Sequence, residues 1–277
     1  MAAMPIPKLV FSMALPLMLS LLIQSLYNIV DSAFVAKLSE SALTATSLAY
    51  PVQFLMIALS VGTSVGLNAL LSRLYGAKKK EEACRAATTG LLLNLATSLL
   101  FVIVGLTASG AIANAFTDDP EIAELCRQYM MICVVFCPGI FLETQGQRML
   151  QAVGFTTLSM VSLICGALTN IILDPIMIFG MFGFPALGIK GAAIATVIGQ
   201  WIGAAVALGL NRAKNPCIHI QLKGYQFDWT DVKAIYRVGT PTMVMQAMGS
   251  LMVASVNAIL LTFSPTAVAF FGIYYKL

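Results

Sequence analysis

Charged residues are scarce in this 277-residue sequence: they make up 10% of it, whereas hydrophobic residues make up 59%. A soluble domain carries roughly 25% charged residues, so this chain has too few to cover a surface that faces water. Apolar stretches recur along it, at the length of about 20 residues that a helix needs to cross a bilayer. The composition therefore predicts an all-α polytopic membrane protein.

The residues that common metal, redox and nucleotide sites require are also missing. The sequence has 1 histidine and 6 cysteines, and no two cysteines form a C-x-x-C pair. No G-x-x-x-x-G-K-[ST] loop occurs, so the chain encodes no ATP-driven motor of that type. We therefore expect neither an enzyme nor a resident cofactor. The cysteines are interpreted as small apolar core residues rather than metal ligands or disulfides.

The apolar runs predict eight membrane spans, at residues 9–35, 44–71, 87–115, 127–150, 157–180, 187–210, 238–262 and from 266 onward. If the spans alternate in direction, most basic residues of the connecting segments fall on one side, which marks the cytoplasmic side. We therefore predict a multi-pass protein of the cytoplasmic membrane with a cytoplasmic N-terminus. The run KKKEEACR at residues 78–85 is then a topology determinant, and no nucleic-acid partner is expected.

A weak internal repeat divides the chain. When Pro16 is aligned with Pro241, the first two predicted spans match the seventh and eighth. Because an even number of spans separates the copies, both enter the membrane from the same side, which is one of the repeat arrangements of transporters. We predict a six-helix N-terminal lobe at 1–211, a cytoplasmic linker at 212–237 and the start of a C-terminal lobe at 238–277. A complete pair of repeats would need about 450 residues, so we expect the chain to be truncated.

Three acidic residues lie within predicted spans: Asp31, Glu143 and Asp174. A carboxylate at the bilayer centre costs at least about 2.5–3.5 kcal/mol, so such residues are expected to face the protein interior and to serve a function. Glu143 is the ambiguous one, since it lies two turns from the end of its span. We interpret it as a structural neighbour of Arg148, five positions further on.

The first span carries a polar stripe around its acidic residue. Gln24, Tyr27, Asn28 and Asp31 are spaced i, i+3, i+4 and i+7, which places them on one helical face. This face is expected to point into the bundle or a wet cavity, with Gln24 and Asn28 lining that cavity. Pro16, about four turns earlier, removes a backbone hydrogen bond and permits the helix to bend.

The fifth span repeats this arrangement with Asn170 and Asp174, again one turn apart. If the two stripes converge, two carboxylates share one pocket with amide and phenol oxygens, which suit a proton or a hard cation such as Na⁺. We therefore predict a proton or sodium site at Asp31 and Asp174. Other polar residues within spans are interpreted as hydrogen-bonding partners between helices; they are Gln53, Asn68, Asn94 and Gln200.

Five motifs resemble those of MATE (multidrug and toxic compound extrusion) transporters. They are YNIVD at 27–31 with Pro16 before it, RLYGA at 73–77, LQAVG at 150–154, NIILDP at 170–175 and GAAIAT at 191–196. The resemblance covers the whole chain, but only the N-terminal half and the start of the C-terminal half of the family's length. It implies two six-helix lobes and secondary export of amphipathic, often cationic, compounds, driven by H⁺ or Na⁺.

The resemblance also implies a cation site in the first lobe. In the prokaryotic branch that the chain most resembles, a tyrosine and an aspartate on helix 1, an asparagine and an aspartate on helix 5 and a threonine on helix 6 form this site. The matching positions are Tyr27, Asp31, Asn170, Asp174 and Thr196. Proline-centred bending of helix 1 has been proposed in the family, and Pro16 matches that proline. The expected protein is a monomeric antiporter in membrane lipid. Its expected substrates are small amphipathic cations, and it is expected to need H⁺ or Na⁺ as coupling ion but no cofactor.

Two other functions stay open. A lipid-linked oligosaccharide flippase of the same superfamily would need cationic residues within the first-lobe spans to hold a pyrophosphate, and the sequence has none in mid-span there. An inactive fragment is the second alternative, because one lobe with two further spans lacks an opposite wall for its cavity.

Overall fold

The structure, a computed structural model, describes residues 6–215, 218, 220 and 225–276. Within them the chain forms nine α-helices and no strand, as predicted for an all-α protein. The helices are α1 (Ile6–Leu38), α2 (Glu40–Gly76), α3 (Lys80–Phe116), α4 (Pro120–Val135), α5 (Pro138–Ala152), α6 (Thr156–Phe179), α7 (Ile189–Lys214), α8 (Trp229–Leu261) and α9 (Pro265–Lys276). A short 3₁₀ turn, Met181–Gly183, lies between α6 and α7.

Short polar side chains begin several helices, because they accept hydrogen bonds from backbone N–H groups that have no partner within the helix. Ser39 caps α2, Asp119 caps α4 and Asp228 caps α8 in this way. At the end of α6, Gly180 takes a left-handed conformation with φ of 74°. Glycine adopts that conformation without strain, so the chain can turn sharply there.

Six of the described helices are long and apolar enough to cross a membrane: α1, α2, α3, α6, α7 and α8. The α4–α5 pair passes the same test as one unit, although its two halves are bent by 47° relative to each other. The chain is therefore a multi-pass membrane protein, as its composition predicts.

The fourth predicted span, at 127–150, coincides with the α4–α5 pair, but it is not one straight helix. The chain instead forms α4 and α5, which meet at the bend, and α5 begins at Pro138. Proline has no backbone N–H and disfavours helical geometry in the residue before it. A helix that reaches Val135 therefore ends, and a new one starts at a different angle.

The segment before α8 also differs from its prediction. Helix α8 begins at Trp229, whereas the corresponding span was predicted at 238–262. Because α7 continues to Lys214, the connection between the two helices is shorter than the predicted linker at 212–237. Residues 216, 217, 219 and 221–224 of that connection lie outside the described residues.

Helix α8 packs along α2 with the two backbones in close approach. A Cβ atom added to Gly66 would lie 2.9 Å from the carbonyl carbon of Ile235, and one added to Gly239 would lie 2.5 Å from the Gly62 carbonyl oxygen. Small residues at helix crossings are the usual means of close packing within membranes. These glycines therefore set the distance between α2 and α8.

A proline within α2 explains a second link to α8. Pro51 has no N–H, so the Ser47 carbonyl one turn earlier loses its partner within the helix. The side-chain amide of Asn257 donates to that carbonyl oxygen at 3.0 Å, and Ser250 donates to the carbonyl of Pro51 itself at 2.6 Å. Within a membrane each free backbone group must be satisfied inside the protein, and α8 provides that here.

We call the "basic end" of the bundle the end where α2, α5 and α7 finish and α3, α6 and α8 start. Arg85 on α3 bridges two acidic residues there: its Nε lies 2.9 Å from Asp231 and its Nη2 lies 2.9 Å from Asp228. Hydrogen bonds from Thr230 and the charge of Arg85 hold the pKa of the Asp228 carboxyl below its ordinary value. This cluster joins the start of α8 to the start of α3.

Candidate functional site

A cavity of about 390 Å³ lies between α1, α2, α4, α5, α6 and α7. Its volume falls within the ~300–1,000 Å³ of small-molecule sites. The wall combines apolar side chains such as Leu21 and Met56 with an unusually large share of amides, hydroxyls and charged groups. A pocket of this kind can hold a molecule that has both apolar and polar parts.

The polar stripe of α1 faces this cavity. Gln24, Tyr27, Asn28 and Asp31 all line it, whereas Leu26 on another face of the helix is 53% exposed on the outside of the bundle. Because a helix places residues at i, i+3, i+4 and i+7 on one side, packing that side inward brings the four polar groups in together. The structure thus places Gln24 and Asn28 where the sequence predicts them.

Asn170 links two of the other predicted positions, Asp174 and Thr196. Its side-chain amide donates to Asp174 Oδ1 at 3.3 Å, one turn along α6, and to Thr196 Oγ1 at 3.4 Å on α7. The Thr196 hydroxyl in turn donates to the carbonyl of Ala192 at 3.0 Å. Asn170 and Thr196 line the cavity, and Asp174 is fully buried behind them.

Helix α1, which carries Asp31, packs against α6, which carries Asp174. Asp31 is 8% exposed and lines the cavity, while Asp174 has no exposed surface. Tyr27 lines the cavity one turn before Asp31. Thus four of the five positions implied by the resemblance line the cavity, and the fifth, Asp174, is bonded to Asn170 behind that wall.

Two buried oxygen atoms of this region, Asn170 Oδ1 and Asp174 Oδ2, accept no hydrogen bond from the residues that the structure describes. Leaving such acceptors unsatisfied costs about 1–3 kcal/mol each. Both atoms are hard oxygen donors, and a carboxylate can also take up a proton. The donor set therefore fits either H⁺ or Na⁺, and it does not distinguish between them.

The interpretation of the remaining amides is confirmed for two of them. Asn68 donates to the carbonyl of Arg148 at 2.8 Å, which joins α2 to α5. Asn94 donates to Gln145 Oε1 at 2.6 Å and thereby joins α3 to α5. Gln53 and Gln200 line the cavity, so they add to its polar wall.

The predicted pairing of Glu143 with Arg148 was wrong. Glu143 accepts a hydrogen bond from Gln147 at 3.1 Å, and Arg148 donates to Gln151 at 2.9 Å. Positions five apart on a helix point about 140° away from each other, so the two side chains do not meet. Both instead line the cavity. The intramembrane position of Glu143 could have indicated that this residue lines the cavity. No local feature of the sequence indicated that Arg148 lines it as well.

These features define a class of protein: a multi-pass membrane protein whose helices enclose a polar cavity with intramembrane carboxylates, as in membrane transporters. Known proteins then identify the family. The family model named MatE matches residues 16–176, which is more than half of the chain, so the chain belongs to the MatE family. The resemblance drawn from the sequence motifs is confirmed.

Curated relatives agree with this assignment. An FAD transporter of Shewanella oneidensis is 29% identical over 277 residues, which cover 97% of this chain and 59% of that protein. The multidrug export protein MepA of Staphylococcus aureus (strain bovine RF122) is 26% identical over 275 residues, covering 99% of this chain and 60% of that protein. The chain thus spans about three-fifths of the length of these relatives.

Solved structures show the same fold. The MATE multidrug transporter DinF-BH, solved as a complex, superposes with a TM-score of 0.92 at 26% identity, over 100% of this chain and 61% of that one. An inward-facing MATE transporter of the MOP superfamily gives a TM-score of 0.85 at 27% identity, over 91% of this chain and 57% of the other.

Proposed function

We propose that this chain forms the N-terminal lobe and the start of the C-terminal lobe of a secondary antiporter that exports amphipathic cationic drugs in exchange for H⁺ or Na⁺. Residues 1–211 would form the first lobe, 212–237 the cytoplasmic linker and 238–277 the start of the second. One observation carries the proposal: Asp31 lines a polar cavity within the membrane-spanning bundle, and Asp174 lies behind the same wall, bonded to Asn170. MepA is a multidrug export protein and DinF-BH is a multidrug transporter, which supports drugs as the substrates.

Exchange would follow from competition for one negative charge. A deprotonated Asp31 attracts a cationic drug into the cavity. Uptake of H⁺ by the carboxylates, or of Na⁺ by the oxygens of Asp31, Asp174 and Asn170, cancels that attraction and releases the drug. Tyr27 and Thr196 contribute hydroxyl oxygens to the same region. Because ion and drug exclude each other, a gradient of the ion can drive export by alternating access.

The position of the ion site suggests how the helix would respond. Pro16 lies within α1, the helix that also carries Asp31, and it removes one hydrogen bond from the backbone there. A change of charge at Asp31 would therefore act on a helix that bends easily. We propose that the basic end is cytoplasmic, that the protein is a monomer in the cytoplasmic membrane, and that drugs enter from that end.

The test replaces Asp31 with asparagine in a transporter that contains residues 1–277. Asparagine keeps the size and polarity of the side chain but can neither carry a negative charge nor take up a proton. Efflux of ethidium from loaded cells should fall to the background rate, at an unchanged amount of protein in the membrane. Asp118→Asn is the matched control, because Asp118 is exposed at the end of α3, away from the cavity, and efflux should persist. Normal efflux in Asp31→Asn would disprove the role of this carboxylate.

The coupling ion needs a separate measurement. Proteoliposomes that contain the transporter can be given a pH gradient without sodium, or a sodium gradient at constant pH. Only the gradient of the coupling ion should drive ethidium transport, and Asp31→Asn should abolish that transport. Transport without either gradient would contradict secondary antiport.

One observation favours a second candidate, the lipid-linked oligosaccharide flippase. Arg148 lines the cavity. The wall therefore contains a basic residue, although the sequence suggested that it would have none. A pyrophosphate usually needs several basic groups, and Arg148 is the one basic residue among those lining the described cavity. Movement of a fluorescent lipid-linked pyrophosphate across proteoliposome membranes would favour the flippase over the drug antiporter.

A further inference from the structure

Arg148 stands apart from the other cavity residues in its charge. It lies in the last turns of α5, and its backbone is held in place because Asn68 donates to its carbonyl at 2.8 Å. The guanidinium group makes one hydrogen bond among the described residues, from Nη1 to Gln151 Oε1 at 2.9 Å. A guanidinium has five N–H donors, so most of its hydrogen-bonding capacity is available to something in the cavity.

Two other arginines of the bundle form salt bridges with acidic residues. Arg85 binds Asp228 and Asp231, and Arg127 binds Glu124 at 2.6 Å. In the part of the chain that the structure describes, no carboxylate lies within 4.0 Å of the Arg148 guanidinium, and the residue is partly buried. A charge withdrawn from water is costly unless an opposite charge accompanies it. The arrangement is that of a binding group rather than of a structural ion pair.

A carboxyl side chain lies in the same cavity but is kept separate from this arginine. Glu143 occupies a slot that two glycines leave open: a Cβ on Gly203 of α7 would lie 2.5 Å from Glu143 Oε1, and one on Gly166 of α6 would lie 3.6 Å from it. Gln147 donates to this carboxyl group at 3.1 Å. Glu143 and Arg148 are about 7.5 Å apart along the axis of α5, so the carboxyl group and the guanidinium line the wall at separate places.

A ligand that has only an oxyanion would bind Arg148 and leave the carboxyl oxygens of Glu143 and Asp31 unused. A ligand that has only a basic group would leave Arg148 without an oxyanion. A molecule that carries both a basic group and an oxyanion can bind both parts of the wall at once. This argument rests on the proposed function, in that it takes the cavity to be the place where the transported molecule binds.

We propose that Arg148 binds an oxyanion of the transported molecule, a carboxylate or a phosphate, and that Glu143 accepts the basic group of the same molecule. The cavity therefore binds an amphipathic zwitterion more tightly than the related cation that lacks the oxyanion. Arg148 lies at the basic end of the bundle, so the oxyanion faces that end and the basic group points toward Asp31. Uptake of the coupling ion at Asp31 would still weaken binding of that basic group.

The experiment measures binding at equilibrium to this chain in lipid nanodiscs, without any ion gradient. Norfloxacin, which has a carboxylate and a basic amine, is compared with its ethyl ester, which keeps the amine alone. A charge-assisted hydrogen bond to the oxyanion should favour the acid roughly ten- to a hundredfold. Pyridoxamine 5′-phosphate and pyridoxamine form a second pair, and the pair that shows the larger preference tells whether a carboxylate or a phosphate is bound.

Three variants test the assignment to Arg148. Arg148→Gln should reduce the preference for the acid to about onefold without weakening binding of the ester, while Arg148→Lys should keep part of the preference. Arg212→Gln, an exposed arginine at the same end, should bind as the original chain does. If Arg148→Gln does not fold, the acid-to-ester binding ratios of the original chain and of Arg148→Lys still decide the proposal. Equal binding of acid and ester by the original chain, binding of neither, or an unchanged preference in Arg148→Gln overturns the proposal.

These outcomes are independent of the antiport mechanism. Loss of efflux in Asp31→Asn tests ion coupling, whereas the acid-to-ester ratio tests what the cavity recognises. An intact ratio in Asp31→Asn together with lost efflux would support both proposals. A ratio of about one together with normal ion-driven efflux of ethidium would overturn only the inference about Arg148.

Discussion

Replacing Gly66 with alanine should push α8 away from α2. The new methyl group would lie 2.9 Å from the carbonyl carbon of Ile235 and 3.1 Å from the backbone nitrogen of Gly239, and it would be closer still to the Ile235 oxygen. Backbone atoms cannot rotate out of the way as the end of a side chain can. The helices must therefore separate by about 1 Å or more to restore an ordinary contact distance.

The size of the effect follows from two opposed terms. Overpacking of this kind costs about 1–3 kcal/mol, while the change from glycine to alanine within a helix returns about 0.5–1 kcal/mol. The net loss is then about 0–2.5 kcal/mol, which lowers the melting temperature of a chain of this size by up to roughly 10 °C. Separation of the helices would also weaken the hydrogen bonds that α8 makes to α2.

The melting temperature can be followed with a maleimide dye that becomes fluorescent when unfolding exposes cysteines. Cys84, Cys126, Cys133 and Cys137 are buried and provide the signal. Gly209→Ala is the matched control, because nothing lies within 4 Å of a Cβ at that position of α7, and it should melt at or slightly above the original temperature. The reasoning is refuted if Gly66→Ala melts no lower than Gly209→Ala does.

Two further predictions concern links between helices. Arg85→Gln should lower the melting temperature by a few degrees at pH 7. Because the pKa of Asp228 is lowered in the folded chain, the stabilisation by Arg85 is present above the ordinary pKa of an aspartate and should fade below about pH 4. A difference in melting temperature between variant and original chain that is unchanged at pH 3 would contradict this explanation. Asn257→Ala should destabilise the chain by about 0.6–1.7 kcal/mol, since the Ser47 carbonyl loses its donor. In a Pro51→Ala background, where residue 51 regains its N–H, the same substitution should cost less, and an equal cost in both backgrounds would refute this explanation.

Much of the architecture could be predicted because its signals are local. Apolar runs of sufficient length indicated the spans, and caps such as Asp228 lie beside the helices that they begin. The break between α4 and α5 was missed although Pro138 is visible in the sequence, because prolines also occur within unbroken helices such as α1 and α2. Whether a proline interrupts a helix depends on what packs around it, which a local pattern does not contain.

The candidate site shows the same division. Asn170 and Asp174 share one helix, so their proximity follows from spacing, but the link from Asn170 to Thr196 joins α6 to α7. Spacing also suggested that Glu143 and Arg148 interact, whereas each bonds to its own glutamine. The glycine slot that receives Glu143 is built by two other helices, and nothing near residue 143 in the sequence indicates it.

The sequence by itself determined that this chain lies in a membrane, which family it belongs to, and that Gln24, Tyr27, Asn28 and Asp31 share one face of a helix. Composition and helical periodicity are properties of neighbouring residues, so they survive any packing. Only the tertiary structure decided which faces meet: α1 against α6, α8 against the glycines of α2, and Arg148 toward the cavity. Those contacts join residues far apart in the chain, and they depend on the shapes and hydrogen bonds of several helices at once.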